Sequence, residues 1–330
     1  MFLNMLLLST LISISSNSWM GMWIGMEINL LSIIPLMNNI NNLYSSESSI
    51  KYFMVQAFSS TIILMMIILF IKIHNLPTNI INSINLIFNS AILTKMGSAP
   101  FHFWFPEIME GLNWFNCFIM LTWQKITPMI LFNYSINNTY FITIIIIICL
   151  IIGGMMGLNQ ISMRKILTYS SINHIGWMIS SILFMETIWF YYFLIYSMIL
   201  FNIIYIFNFY MIFYSKQFFL LMNKNIYLTY FFSMNFFSLG GIPPFIGFFP
   251  KWLIIQTMLM NNFIFLAYLM LITTLITLFY YIRILFSSLN LNSNEINFFN
   301  FSYKNKIYIS IINFVNLLSL IFCTLLFNFI

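Results

Sequence analysis

Four charged side chains in this sequence stand inside apolar text, where a charge is costly. Glu27 lies in WIGMEINLLSIIPL, Lys95 in AILTKMGSAPF, Lys125 in IMLTWQKITPMI and Lys251 in GFFPKWLIIQ. A Lys or Glu at the centre of a membrane-spanning helix costs about 2.5 to 3.5 kcal/mol on insertion scales and by default marks an ion or proton path. Removing an ammonium from water favours the neutral amine, and removing a carboxylate favours the acid, so buried groups of both kinds can exchange protons near neutral pH. Spaced through a membrane, they would form a relay in which each proton alters its neighbour's affinity. Snorkelling to the interface is the competing reading for some of them. Lys125, deep in its run, reads as functional. Glu27 has Trp19 and Trp23 nearby and reads equally as a relay member or as part of an aromatic belt.

His174, in YSSINHIGWM beside Ser170, Ser171 and Asn173, either carries a proton between charged residues or is a hydrogen-bonded packing histidine. His102 has the same two readings, and His74 falls in a loop where it is solvated. Arg164 and Lys165 open a span and read as topology or lipid contacts.

The elements that position these residues must be helices in lipid. Hydrophobic residues make up 62% of the 330 and charged ones 5%, against about 25% charged in an average soluble domain. Apolar runs of the roughly 20 residues needed to cross a bilayer follow one another along the chain. Lipid cannot satisfy backbone polar groups, so the spans are helices or a closed barrel, and the absence of period-two alternation selects helices. The runs cover 2–18, 20–40, 51–73, 80–100, 111–134, 140–160, 165–185, 187–214, a long broken 226–260, 263–288 and 307–329. The Asn/Ser-rich stretches 38–50 and 287–306 read as loops. Alternating sides groups Lys51, Arg164, Lys165, Lys216, Lys224, Lys304 and Lys306 with the N-terminus, leaving Lys72 opposite. The positive-inside rule then places the N-terminus on the matrix side and the C-terminus outside.

Asp is absent while Ile, Phe, Asn and Met abound, a bias expected of an A/T-rich organellar genome, and the start MFLNMLLLST carries neither a signal nor a transit peptide pattern. The formal charge of +6 is too scattered for a nucleic-acid patch. Cys117, Cys149 and Cys323 stand alone and read as small core residues. Neither a dinucleotide fingerprint nor a P-loop is present. His74, His102 and His174 cannot supply the paired axial ligands of a bis-histidine haem subunit. Redox chemistry, if it occurs, belongs to partners.

One internal repeat emerges. GSAPFHFWFP at 97–106 and GIPPFIGFFP at 241–250 align Gly97, Pro100, Phe101, Phe105 and Pro106 with Gly241, Pro244, Phe245, Phe249 and Pro250 at a constant offset of 144. Chance matching of apolar text competes with a true duplication. Both copies nonetheless put Gly and Pro inside a hydrophobic run, and interrupted helices at corresponding positions of two halves point to a transport pathway. Gly21 with Gly25, and Gly153 with Gly157, have the spacing of close helix packing.

SNSWMGMWIGMEINLLSIIPL, SSIKYFMVQAFSS, KMGSAPFHFWFPEIMEG, LTWQKITPMI, GLNQISMRKILTYSSINHIGWM and SLGGIPPFIGFFPKWLIIQ, in this order, resemble the signatures of the NADH:ubiquinone oxidoreductase chain 2 family in its short animal mitochondrial form. Beyond them only LITLFYYIRILFSS is similar. The resemblance implies an all-α membrane protein of about eleven transmembrane helices, an antiporter-like subunit built from two inverted five-helix repeats, each with a broken helix, plus one C-terminal helix. The corresponding divisions are 1–134, 139–289 and 306–330. It further implies that Glu27, in G-x-E-x-N, Lys95, Lys125, in T-W-Q-K, and Lys251, in P-K-W, form the proton-transfer axis, while His174 keeps the two readings its own surroundings give it. Partners would be the other membrane-arm subunits of complex I, including neighbouring antiporter-like subunits, and lipids. The chain itself would bind no cofactor, with NADH, FMN, iron–sulfur clusters and ubiquinone held by partner subunits in or on the mitochondrial inner membrane. The short form lacks three amino-terminal helices of bacterial relatives, and how much of a proton path one such chain contains stays open. Two rival functions remain: a free-standing cation/proton antiporter, and a scaffold that seals the membrane arm.

Overall fold

The computed structural model describes residues 1–39, 42–72, 78–222 and 226–289. The expected C-terminal helix, His74, Cys323, Lys224, Lys304 and Lys306 lie outside them. The described chain is helical nearly throughout, with an isolated two-residue bridge between Ser162 and Tyr214 as its extended pairing. It divides into two compact units, Met1–Cys149 and the residues from Leu150 onward.

In the first unit, α1 (Phe2–Ser15) and α2 (Trp19–Met37) form a tight hairpin. Ser18 caps α2, its hydroxyl accepting from the Gly21 amide at 3.2 Å. A Cβ on Gly25 would lie 2.7 Å from the Ser13 amide nitrogen, so the small residue lets the two backbones close. Helix α3 (Leu43–Lys72) begins inside the stretch expected to be a loop. Asn42 accepts from the Tyr44 amide at 3.2 Å, while Ser46, Ser48 and Ser49 turn their hydroxyls back onto carbonyls three residues earlier. Their polar groups are thereby satisfied within the helix. Lys51 then pairs with Glu47 on its own helix and with Glu107, both at 3.0 Å.

Helix α4 (Thr78–Met96) stops at the first Gly/Pro cluster. Gly97 takes a φ of +71°, a conformation that disfavours a side chain, and Ser98 donates to the Leu93 carbonyl while Gly97 donates to that of Thr94, each at 3.2 Å. The chain resumes as α5 (Trp104–Gly111). The expected span 111–134 is not one helix. It resolves into α6 (Trp114–Leu121) and α7 (Trp123–Tyr134), parted at Thr122, whose hydroxyl bonds the Phe118 carbonyl at 2.7 Å and competes with the helical ladder. Helix α8 (Thr139–Leu158) crosses from the first unit's residues into the second's.

The second unit continues through α9 (Met163–Phe184), α10 (Glu186–Tyr210), α11 (Ser215–Met222), α12 (Ile226–Gly240), α13 (Phe248–Met260) and α14 (Ile264–Leu289). Helix α10 ends earlier than expected, because Met211 turns left-handed (φ 51°) and the chain pairs backward, Met163 N donating to Phe213 O at 2.9 Å. Gly153 and Gly157 again mark close approaches. A Cβ on the first would meet the Asn173 amide at 2.7 Å, and one on the second would meet the Tyr280 ring at 3.0 Å.

The second break copies the backbone geometry of the first. Gly241 has φ +79°, Ile242 donates to Phe237 at 3.3 Å, and Gly241 donates to Ser238 at 3.1 Å. Each of these residues stands 144 positions after its counterpart at Gly97, Ser98, Leu93 or Thr94. At Gly247 a Cβ would overlap the Ser238 carbonyl, so this break tolerates no side chain there.

Five described helices are long and apolar enough to cross a membrane by length and composition: Trp19–Met37, Leu43–Ile71, Thr139–Leu158, Glu186–Tyr210 and Ile264–Phe286. Others are interrupted: α12 (15 residues) and α13 (13 residues) are each too short alone and are parted by the second break, while α4 is parted from the short α5 by the first.

Candidate functional site

Each break frees carbonyls that apolar surroundings cannot solvate, and the side chains that answer them define the site. At the first break the Ser98 hydroxyl donates to Leu93 O at 3.0 Å, Trp104 Nε1 to Thr94 O at 3.2 Å and Gln56 Nε2 to Lys95 O at 3.3 Å, while Cys149 Sγ approaches Ala99 O at 3.5 Å. The Lys95 side chain, itself 8% exposed, leaves the end of α4 toward α2 and lies 3.8 Å from Met26 Sδ. Next along α2 stands Glu27, half-buried, whose carboxylate attracts the Lys95 ammonium electrostatically. One of its oxygens, Oε1, is buried without a hydrogen-bond partner among the described residues.

Lys125 sits one turn into the first unit's α7, just past the interruption at Thr122. It is 1% exposed, with its Nζ 5.6 Å from the centre of the Phe105 ring of α5. An ammonium over a ring face gains some electrostatic stabilisation but far less than water supplies. Its neighbour Gln124 ties three helices together: Nε2 donates to Asn29 Oδ1 of α2 at 2.8 Å, and its oxygen accepts from the Tyr52 hydroxyl of α3 at 3.4 Å. Asn29 is two residues from Glu27. The first unit therefore gathers Glu27, Lys95 and Lys125 around one polar seam of α2, α3, α4 and α7. His102 is buried beside the break with Nδ1 3.3 Å from the Pro100 carbonyl, a local contact of the turn.

In the second unit a lysine answers the freed carbonyls. Lys251 on α13, 7% exposed, donates from Nζ to Gly240 O at 2.8 Å and to Leu239 O at 3.4 Å. Leu239 is the repeat counterpart of Lys95, so the two lysines reach equivalent ends of their broken helices, one from within it and one from across the break. The Lys251 ammonium also lies 5.7 Å from the Trp177 ring of α9. One turn earlier on α9, His174 is buried and shares a 2.7 Å hydrogen bond between Nδ1 and the Tyr192 hydroxyl of α10.

All five sequence-derived site residues are accordingly placed in or beside buried polar groups, three in the first unit and two in the second. Gln56, Gln124, Asn29, Tyr52 and Tyr192 were not singled out from the sequence. The amides had a usable signal, since Asn29, Gln56 and Gln124 all stand within apolar runs. Tyrosine had none, because the 18 tyrosines of this chain are spread through belts and core alike. Among the described residues no three His, Cys, Asp or Glu side chains group as a metal site.

Interrupted apolar helices whose breaks hold buried lysines define a helical membrane protein of the antiporter-like class. The family described as NADH:quinone oxidoreductase/Mrp antiporter, TM, matches residues 16–277. NADH-ubiquinone oxidoreductase chain 2 of Anopheles gambiae is 45% identical over 99% of this chain and 97% of its own length, and that of Aedes aegypti is 47% identical over the same shares. The chain belongs to the NADH-ubiquinone oxidoreductase chain 2 family. A chain of respiratory complex I from Thermus thermophilus has the same fold at 19% identity, with a TM-score of 0.83 over 96% of this chain and 77% of that one.

Proposed function

We propose that this chain is a membrane-arm subunit of a proton-translocating NADH:ubiquinone oxidoreductase of the mitochondrial inner membrane. In this reading Glu27, Lys95 and Lys125 in the first unit, and Lys251 with His174 in the second, hold and pass protons. Electron transfer from NADH to ubiquinone takes place on FMN and iron–sulfur clusters of partner subunits, and the resulting conformational or electrostatic changes alter proton affinity at these side chains. The chain supplies the path and not the electrons. Its complement is about eleven spans arranged as two inverted five-helix repeats, 1–134 and 139–289, with a further helix at 306–330. The basic residues Lys51, Arg164, Lys165 and Lys216 support a matrix-side N-terminus.

The observation that carries this reading is the placement of Lys125, 1% exposed beside a helix interruption and over an aromatic ring. A group so expensive to bury has a use in moving charge. In the intact complex reconstituted in liposomes, Lys125→Met is expected to lower proton translocation per NADH oxidised by at least about tenfold, as for loss of a proton-transferring group. The complex should still assemble. Translocation at the unaltered level would remove Lys125 from the path. A free-standing cation/proton antiporter is the second reading, favoured by the Mrp antiporter half of the matching family's description.

A further inference from the structure

The second unit holds buried polar groups around His174 that the relay does not use. Tyr192 and Tyr196 project from α10 and Tyr280 and Tyr281 from α14, and all four side chains are buried. The Tyr196 ring lies 4.9 Å from the His174 ring, and the Ser171 hydroxyl of α9 donates to the Thr168 carbonyl at 2.7 Å. Tyr280 and Tyr281, their rings 4.6 Å apart, interact with Ser170 without a hydrogen bond of regular geometry. Trp177, one turn further along α9, lies 5.7 Å from the Lys251 ammonium of α13. Among these groups it is the Tyr192 hydroxyl that meets an imidazole nitrogen of His174, at 2.7 Å.

We propose that Tyr192 is the positioning residue for His174, its hydroxyl setting which imidazole nitrogen carries the proton. A buried phenol is a far better donor than acceptor. Donation to Nδ1 leaves Nε2 as the protonated nitrogen of the neutral ring. Nδ1 can take a proton only with the Tyr192 oxygen turned to accept from it, and the imidazolium so formed, not the neutral ring, releases the Nε2 proton. Each proton passing through the ring is thereby tied to one hydroxyl rotation and its reversal, which returns the ring to its starting tautomer. This inference rests on His174 belonging to the relay.

The test is a double-mutant cycle on the intact complex in liposomes, reading protons translocated per NADH oxidised. Tyr192→Phe keeps the ring and removes the hydroxyl. It is expected to lower that ratio about fivefold, the worth of roughly one net hydrogen bond, with assembly retained. Tyr196→Phe, which keeps the ring against His174 and leaves the Tyr192 hydrogen bond in place, is expected to leave the ratio unchanged. In a His174→Gln background, Tyr192→Phe should cause no additional loss, and the imidazole ring band assigned by that variant should change tautomer in Tyr192→Phe alone. An unaltered ratio in Tyr192→Phe, an additive loss in the double variant, or failure of Tyr192→Phe to assemble would overturn the inference while leaving the relay intact. An unaltered ratio in His174→Gln itself would overturn His174 as a relay member and this inference with it.

Discussion

Gln124 and Lys125 are adjacent in sequence and do opposite things. The lysine lies over an aromatic face, whereas the glutamine bridges the Asn29 oxygen at 2.8 Å and the Tyr52 hydroxyl at 3.4 Å. A half-buried amide hydrogen-bonded to two other helices fixes the backbone on which its neighbour stands, which makes Gln124 the group that holds Lys125 next to the Thr122 interruption. Gln124→Leu would remove both hydrogen bonds and leave buried polar atoms behind, at a cost of about 1 to 3 kcal/mol. The expected result is a lower thermal midpoint for the assembled complex and a fall in protons translocated per NADH. An unchanged midpoint would mean that the amide contributes no net stabilisation. The charges themselves were legible in the sequence because Lys and Glu are so rare in apolar runs that each one stands out. Their supporting amides and hydroxyls were legible only in part. Asn, Ser and Tyr occur all along this chain, and nothing in their spacing tells a hydroxyl that bonds its own helix, as Ser48 does, from one that serves a neighbour, as Tyr52 does.

At the scale of the helix, the two breaks were legible because Gly and Pro remove what a helix needs, and the constant offset already paired them. The backbone agrees residue for residue, from the positive φ of Gly97 and Gly241 to the carbonyls that receive Ser98 and Ile242. The interruption at Thr122 was not legible, since a single threonine in a run of helix formers carries no distinctive pattern. The start of α3 inside an Asn/Ser-rich stretch was misread for the converse reason, that serine satisfies itself within a helix as readily as in a loop. The breaks differ in what surrounds the glycine. A Cβ at Gly97 would meet Trp104 at 3.1 Å, whereas one at Gly241 would meet the Lys251 side chain at 2.8 Å. Gly97→Ala and Gly241→Ala both force an L side chain into left-handed backbone, for about 1 to 2 kcal/mol each. Both should lower thermal stability by comparable amounts. Only Gly241→Ala should also displace the Lys251 ammonium from Gly240 O and lower proton translocation out of proportion to NADH oxidation. Equal losses of translocation in the two variants would show that the position of the Lys251 ammonium does not matter.

For the molecule as a whole, composition had already settled the solvent. Large apolar side chains face outward on successive helices, Leu31 at 61%, Phe58 at 69% and Ile144 at 56% exposure among them, a surface that only lipid or other apolar helices can cover. Nothing in a single sequence says which of the two covers a given face. This chain matches nearly the full length of its insect relatives and 77% of the Thermus complex I chain that shares its fold. A subunit whose titratable groups are driven by electron transfer elsewhere has no reason to be found alone. An antiporter has every reason to be active alone. Mild solubilisation of the native membrane followed by a native gel separates them. The chain is expected to co-migrate with a very large NADH-oxidising band, and the purified chain, placed by itself in liposomes, to exchange no cation for protons. Migration as a small free species together with exchange in liposomes would instead assign the buried lysines to antiport by this chain alone.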